Sequence, residues 1–291
     1  MRSKRNPAVS VKWYFAFKTR RVSTPRSRLS TIMKGMARPH ELLIARWQTP
    51  VAGQLVANYL NLGSPKFPLE IPLRGGGSVR VFSRGEAKVF WQIFIHSCYR
   101  LWADCKTIVD AGANIGVFSV WAARQLPQAR ILALEPFPET FAKLRQNLQI
   151  NQLENRVQSI QMALAASPGD RTMPIQAESQ RRTLHAAGQM MDRESVVSVP
   201  CTTLADLMER YQLQQIDLLK MDIEGSEWEV LHSTVPAVLR SIRRIQFEYH
   251  EVNASLGYSK AKLFDYLSST GFRLTRCQED EHGTGVAIVE R

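Results

Sequence analysis

The chain has 291 residues, 44% of them hydrophobic and 22% charged. That is enough to bury a full single-domain core, and the balance is that of a globular protein rather than a fibrous or low-complexity one. The net charge of +12 is concentrated in one place: residues 1–40 hold eleven Lys and Arg and no Asp or Glu, so the rest carries a single positive charge.

This near-neutral body argues against a basic stripe that tracks nucleic acid. No apolar run reaches eighteen residues, so no spanning helix is expected. Four scattered cysteines (Cys98, Cys105, Cys201, Cys277) without a C-x-x-C pair point to reduced thiols in a cytoplasmic setting and away from zinc.

Residues 1–39 read as a basic, solvated arm. Trp13, Tyr14, Phe15 and Phe17 beside its charges would also suit peripheral contact with an anionic membrane surface. Val11 to Phe17 is too short and too charged at its flanks for a signal peptide. Residues 40–104 read as a cap segment: one or two helices over 40–62, an extended stretch at 65–74, a turn at Gly75-Gly76-Gly77 and a strand at Val79–Phe82. An apolar, aromatic helix is expected from Lys88 to Trp102.

From residue 105 to 291 strands and helices alternate, as a parallel sheet requires. Strands are expected at 106–110, 130–135, 157–163, 216–221 and 243–249, and helices at 115–126, 138–150, 203–211, 226–232 and 260–270. Residues 166–200 interrupt this order, with a turn at Ser167–Asp170, a strand from Arg171 to Ala177 and a polar stretch from Gln180 to Arg193, and this insertion reads as a lid or substrate loop. Two closing strands, 272–277 and 285–290, flank Glu279–Gly283 as a hairpin.

The chain is organised around Asp110-Ala-Gly112-Ala-Asn114-Ile-Gly116, which follows the β-branched run Thr107-Ile108-Val109. A strand, a glycine turn and a helix in that order bring backbone and unpaired N–H groups to the strand's carboxyl end. Glu135 ends the next strand about twenty residues on, where a carboxylate can accept from ribose hydroxyls. Gly112 and Gly116 are separated by three residues, so the G-x-G-x-x-G fingerprint is absent. The pattern suits S-adenosylmethionine (SAM) better than a nicotinamide dinucleotide.

Together, DAGANIG, LEPFPETF, DLLKMDIEG and IQFEYHE resemble the FkbM-type family of SAM-dependent methyltransferases from about Val79 to Arg291. The resemblance implies an α/β, Rossmann-like fold with a mostly parallel seven-stranded sheet, an antiparallel C-terminal strand and an N-terminal helical extension. It also implies a segment before the catalytic fold that ends near a tyrosine, for which Tyr99 is the best match.

By strand order, Asp110, Gly112, Asn114 and Gly116 shape the methionine end of a cofactor site. Glu135 takes the ribose, Pro136 and Phe137 lie against the adenine, and Ala163 faces its edge. At the acceptor end, Asp222 is the first choice to line the methyl-transfer site, with Glu248 nearby. His250 has a pKa near neutrality and is the best general base; it reads equally as a structural histidine. Glu224 belongs to the same tip, or serves as an anion near the next helix's first turn.

A divalent ion at Asp222, Glu248 and His250 is a less favoured alternative, and Lys220 reads as a strand-edge or salt-bridge residue. The expected activity is methyl transfer to a hydroxyl of a small molecule such as a sugar, polyketide or peptide. An RNA 2′-O-methyltransferase using the basic arm, or a non-catalytic SAM-binding scaffold, are the competing readings.

Overall fold

The computed structural model describes residues 39–59, 66–174, 196–249, 259–279 and 285–291. Most of the basic arm, most of the expected lid loop, His250 and the turn at 280–284 lie outside these residues. Among the described residues no helix is long and apolar enough to cross a membrane.

The N-terminal segment consists of helices α1 (Pro39–Gln48) and α2 (Ala52–Tyr59), a hairpin of β1 (Leu69–Pro72) and β2 (Ser78–Val81), and helix α3 (Arg84–Phe90). Ser83 starts α3 by accepting from the Glu86 N–H at 3.2 Å, while the Glu86 carboxylate accepts from Phe82 N–H. This reciprocal arrangement is the physical meaning of a capping Ser three residues before a Glu.

The helix expected over Lys88–Trp102 is corrected at both ends. It starts at Arg84, continues through one π-helical turn at Trp91–Ile95, and stops before Ser97, whose φ is +55°. The rest of the segment runs irregularly across the sheet. There Gln246 accepts from Arg100 N–H at 2.7 Å and donates to Arg100 carbonyl at 2.6 Å. Those two bonds satisfy backbone groups that a helix would otherwise pair.

The main sheet is built from β3 (Thr107–Ala111), β4 (Arg130–Leu134), β5 (Val157–Ile160), β9 (Leu218–Met221), β10 (Arg244–Tyr249), β11 (Arg273–Glu279) and β12 (Gly285–Glu290). Its spatial order is β11-β12-β10-β9-β3-β4-β5. The five strands β5, β4, β3, β9 and β10 are parallel, and β12 runs antiparallel between β10 and β11. This is the expected Rossmann-like, doubly wound sheet.

Its strands read as continuous apolar runs because both faces are covered. Ile108, Ile131 and Leu218 pack into the core under the N-terminal segment, while Val109, Leu132 and Leu219 pack into the core on the other face. The crossover helices are α4 (Val117–Gln125), α5 (Pro138–Ile150), α6 (Leu204–Arg210), α7 (Glu227–Ser233), α8 (Pro236–Arg240) and α9 (Lys260–Ser269). Asn147 on α5, fully buried, binds the N–H and carbonyl of Arg80 at 2.8 and 3.0 Å and so fastens the hairpin to the sheet layer.

The interruption at 166–200 contains part of a second sheet. Strands β6 (Ala163–Leu164), β7 (Gly169–Pro174) and β8 (Val196–Thr202) pair in the order β6-β8-β7. Strand β8 was not expected.

After β3 the chain builds β4 and β5 on one side, then returns to place β9 and β10 on the other. The strand order therefore reverses at β3. In such sheets the crevice at the reversal, beyond the carboxyl ends of the strands, is the ligand position.

Candidate active site

Two groups of residues meet at this crevice. The first is the turn after β3. Gly112 has φ +74°, and a Cβ there would lie 2.0 Å from the Asp222 carbonyl oxygen. Only glycine lets the turn pass this close to the tip of β9. Gly112 and Ala113 donate to the Leu134 carbonyl at 3.0 and 2.8 Å, and Asn114 caps the turn by accepting from Ile115 N–H at 2.8 Å.

Gly116 has φ +87°, and its missing Cβ leaves room for Leu144, whose Cδ1 would be 2.6 Å away. Its role is the close packing of α4 on α5. Helix α4 starts at Gly116 with no side-chain cap, so its first N–H groups have no capping acceptor from that residue.

Glu135 sits at the tip of β4, 5% exposed. Its Oε2 accepts from Asn114 N–H at 3.0 Å and its Oε1 from Phe137 N–H at 3.1 Å. The carboxylate therefore joins the two loops on this side of the crevice. Pro136 is half-buried. Phe137 and Ala163 pack with Ala165, Met173, Val199 and Cys201 in a small core that seats the second sheet.

The second group lies at the ends of β9 and β10. Asp222 donates its N–H to the Ala111 carbonyl at 3.1 Å, continuing the β9–β3 pairing by one residue. Its Oδ2 accepts from the Tyr99 hydroxyl at 3.4 Å. Tyr99 is brought there by the segment that Gln246 fastens, and its ring meets Phe118 edge-on at 5.3 Å. Burial, followed by the Asp222 carboxylate, holds the Tyr99 hydroxyl well above its ordinary pKa. Burial, then Glu248 and Asp222, pushes the neighbouring Cys98 thiol up to about 12.

Glu248 is half-buried and lies on the same face of β10 as Gln246, two residues on. Tyr249 points the other way, as alternation requires, with its hydroxyl 3.2 Å from Cys277 Sγ and 3.3 Å from Glu279 Oε2. Among the described residues no group of three or more His, Cys, Asp and Glu side chains could hold a metal ion.

Beneath both groups runs a buried polar row. Strand register places Asp110, Lys220 and Gln246 side by side on β3, β9 and β10. Lys220 is 3% exposed, and Asp110 and Gln246 are fully buried. Lys220 Nζ lies 3.0 Å from Asp110 Oδ1 and donates to the Gly112 carbonyl at 2.9 Å. The other oxygen of Asp110 accepts from Ser119 Oγ at 2.7 Å. Asp110 thus holds the turn from inside, and Lys220, expected as a strand-edge or salt-bridge residue, is the salt-bridge residue, in the middle of the row.

The turn after β9 has its own brace. Glu224 takes φ +55° and Gly225 +100°, which swings the chain back so that Glu227 faces the turn. The Glu227 carboxylate, 2% exposed, accepts from Ile223 N–H at 2.8 Å and from Gly225 N–H at 2.9 Å. Burial pushes its pKa up to about 8, against the backbone N–H bonds of Glu227 and Ile223, with the Asp222 and Glu224 charges acting in the same direction as burial. Sequence reasoning missed Glu227, and the only available signal was an acidic residue two positions after a glycine.

The chain is similar to known methyltransferases over much of its length. The methyltransferase FkbM domain matches residues 110–274, more than half of the chain. The methyltransferase sdnD of Sordaria araneosa is 31% identical over 230 residues, covering 68% of this chain and 87% of its own. The 31-O-demethyl-FK506 methyltransferase FkbM of Streptomyces tacrolimicus is 28% identical over 217 residues, 64% of this chain and 83% of its own. A crystal structure of methyltransferase FkbM from Methylobacillus flagellatus aligns over 91% of this chain and 62% of that one, at 12% identity and a TM-score of 0.47. The matched span opens at Asp110 and contains the glycine turn, Glu135 and the Asp222–Glu227 loop, and on that ground the chain belongs to the FkbM methyltransferase family.

Proposed function

We propose that the protein transfers a methyl group from SAM to a hydroxyl oxygen of a small-molecule acceptor, with Asp222 at the point of transfer. The residues of the cofactor half fit such a donor. Glu135 is an acidic acceptor at the tip of β4, the position from which a carboxylate can take ribose hydroxyls, and the start of α4, without a side-chain cap, suits a carboxylate. The turn at Gly112 has no side chain where the backbone comes closest. SAM, when bound, supplies an activated methyl group and its leaving group.

The chain's own part is alignment and proton removal. The Asp222–Glu227 loop, braced at two N–H groups, holds Asp222 where the tips of β3 and β9 meet. Holding reactants in line can supply up to ~7–11 kcal/mol of a barrier. A carboxylate placed to take the acceptor's proton would add a factor of about 10²–10⁴. The Tyr99 hydroxyl, held protonated and bonded to Asp222, orients that carboxylate. His250 is the alternative base.

The observation that carries this reading is the convergence of Asp222, Glu248 and Tyr99 beside the glycine turn. The named oxygen of the FK506 precursor handled by the Streptomyces relative supports an oxygen acceptor. Incubation with isotope-labelled SAM and a panel of hydroxylated acceptors tests it. Label should appear on oxygen, and Asp222→Asn should keep cofactor affinity while turnover falls at least about a hundredfold. Transfer to nitrogen or carbon alone, or wild-type turnover in Asp222→Asn, would overturn the assignment.

A further inference from the structure

Helix α1 is turned inside out for a helix at a protein surface. Such a helix ordinarily buries its apolar stripe and exposes its charges. Here the single acid, Glu41, is 4% exposed. Its carboxylate accepts from the Trp91 indole N–H at 3.1 Å and sits 2.7 Å from His96 Nδ1. Ala45, one turn on, is fully buried. These contacts fix the rotation of the helix, and that rotation leaves Leu42, Leu43 and Trp47 outside, 42%, 70% and 59% exposed.

Single apolar side chains on a surface need no explanation, whereas a contiguous group does. Six large hydrophobic residues stand exposed among the described residues, and Val196, Val235 and Leu274 come from separate segments. The other three share one face of one helix, with Leu43 and Trp47 a turn apart. The charges beside them have one sign. Arg46 is exposed on the same face, and the Arg74 guanidinium lies 5.7 Å from the centre of the Trp47 ring. Residues 1–38, which lead directly into the helix, carry eleven Lys and Arg and no Asp or Glu.

We propose that this face of α1 docks on an anionic membrane surface. Leu42, Leu43 and Trp47 enter the boundary between headgroups and acyl chains, and the arginines and the preceding arm meet the lipid phosphates. A helix that lies in the plane of the interface has this composition, apolar and aromatic residues flanked by Lys and Arg. Tryptophan suits that depth because its ring is apolar and its N–H is polar. Each Lys or Arg brought close to an anionic leaflet strengthens binding about fivefold. Other occupants fit less well. A second copy packed here would bring together the ends of two arms, each with eleven positive charges and no negative one. A nucleic acid would satisfy the arginines but offer the two leucines only phosphate and water.

The full chain is sedimented with vesicles of phosphatidylcholine alone, and of two parts phosphatidylcholine to one part phosphatidylglycerol, at low and at high salt. Wild type should bind the anionic vesicles at least about tenfold more tightly than the neutral ones, and high salt should abolish the preference. Leu43→Ser combined with Trp47→Ser changes no charge and should weaken binding to the anionic vesicles at least about tenfold at low salt. Arg46→Glu, at an exposed position, should do the same, and it decides if the double variant does not fold.

Wild-type protein that ignores anionic vesicles overturns the proposal. So does binding that the substitutions on α1 leave unchanged, because the arm would then act alone. A dimer in solution that Leu43→Ser with Trp47→Ser converts to a monomer would assign the face to a second copy instead. A clearly lowered thermal midpoint in that variant would assign it to the chain's own packing.

Discussion

Glu227→Gln offers a sharp test of how the loop after β9 is held. In the folded protein Glu227 is buried, accepts two backbone N–H bonds, and has its pKa raised from 4.5 to about 8. Because the folded value lies above the unfolded one, its contribution to stability is fully present below about pH 4.5 and is lost as pH rises through 8. The most that this can amount to is about 5 kcal/mol, with a slope of at most ~1.4 kcal/mol per pH unit.

Glutamine removes the titration but brings its own cost. Its carbonyl oxygen can serve one N–H, while its amide nitrogen faces the other as donor against donor, a loss of about 1–3 kcal/mol. The variant should therefore be less stable than wild type by about that amount at pH 5. The difference should shrink as pH rises and, at that slope, reverse sign between about pH 5.5 and 7.5. Urea unfolding of both proteins at half-unit steps from pH 5 to 8.5 measures it, and all other titrating groups cancel in the difference. An offset that stays constant over that range would refute the argument that Glu227 is strained by burial.

The other predictions concern the cofactor half and the covering segment. Gly112→Ala places a methyl group 2.0 Å from the Asp222 carbonyl oxygen in left-handed backbone. It should cost about 1–2 kcal/mol for the backbone and a further 1–3 for the overlap, read as a lower thermal midpoint; an unchanged midpoint would refute the close approach. Glu135→Ala should bind S-adenosylhomocysteine at least about tenfold more weakly by calorimetry, since Asn114 and Phe137 N–H groups lose their acceptor along with the ribose. Wild-type affinity would remove Glu135 from the site. Cys98, with its thiol pushed up to about 12, should resist iodoacetamide at pH 8 in the folded protein while exposed Cys277 reacts. Mass spectrometry of the labelled peptides decides, and prompt labelling of Cys98 would contradict its burial against Glu248 and Asp222.

The parts of the fold that could be read from sequence are those whose causes are local. Val109, Leu132 and Leu219 stand in runs with no polar alternation, because a parallel strand is covered on both faces, and the expected strands were all found. The turn at Gly112 was legible because positive φ beside another strand admits few residues other than glycine. Strand β8 escaped notice because Val196, Val197 and Ser198 stay partly exposed and Pro200 breaks the run, so neither a buried nor an alternating pattern emerges. The helix placed over Lys88–Trp102 overran for a different reason. Its second half is apolar enough to be helical, and what pulls it straight is Gln246, 146 residues away.

The same distinction runs through the site. Glu224 was the natural candidate for the anion of its loop, since it precedes the helix, yet left-handed backbone at Glu224 and Gly225 hands that place to Glu227. Lys220 reads in sequence as a strand-edge or salt-bridge residue, because charges are rarely buried unless paired, and the pairing is what the structure shows. Only the register, which sets it between Asp110 and Gln246, turns it into the middle of a polar row. A residue type announces chemistry that it can do alone, as glycine does in a turn. The buried Lys220 acquires its role from Asp110 and the Gly112 carbonyl, more than a hundred residues distant in sequence. The binding turn was therefore visible from composition and spacing, whereas the electrostatic support under it required the strands to be laid side by side.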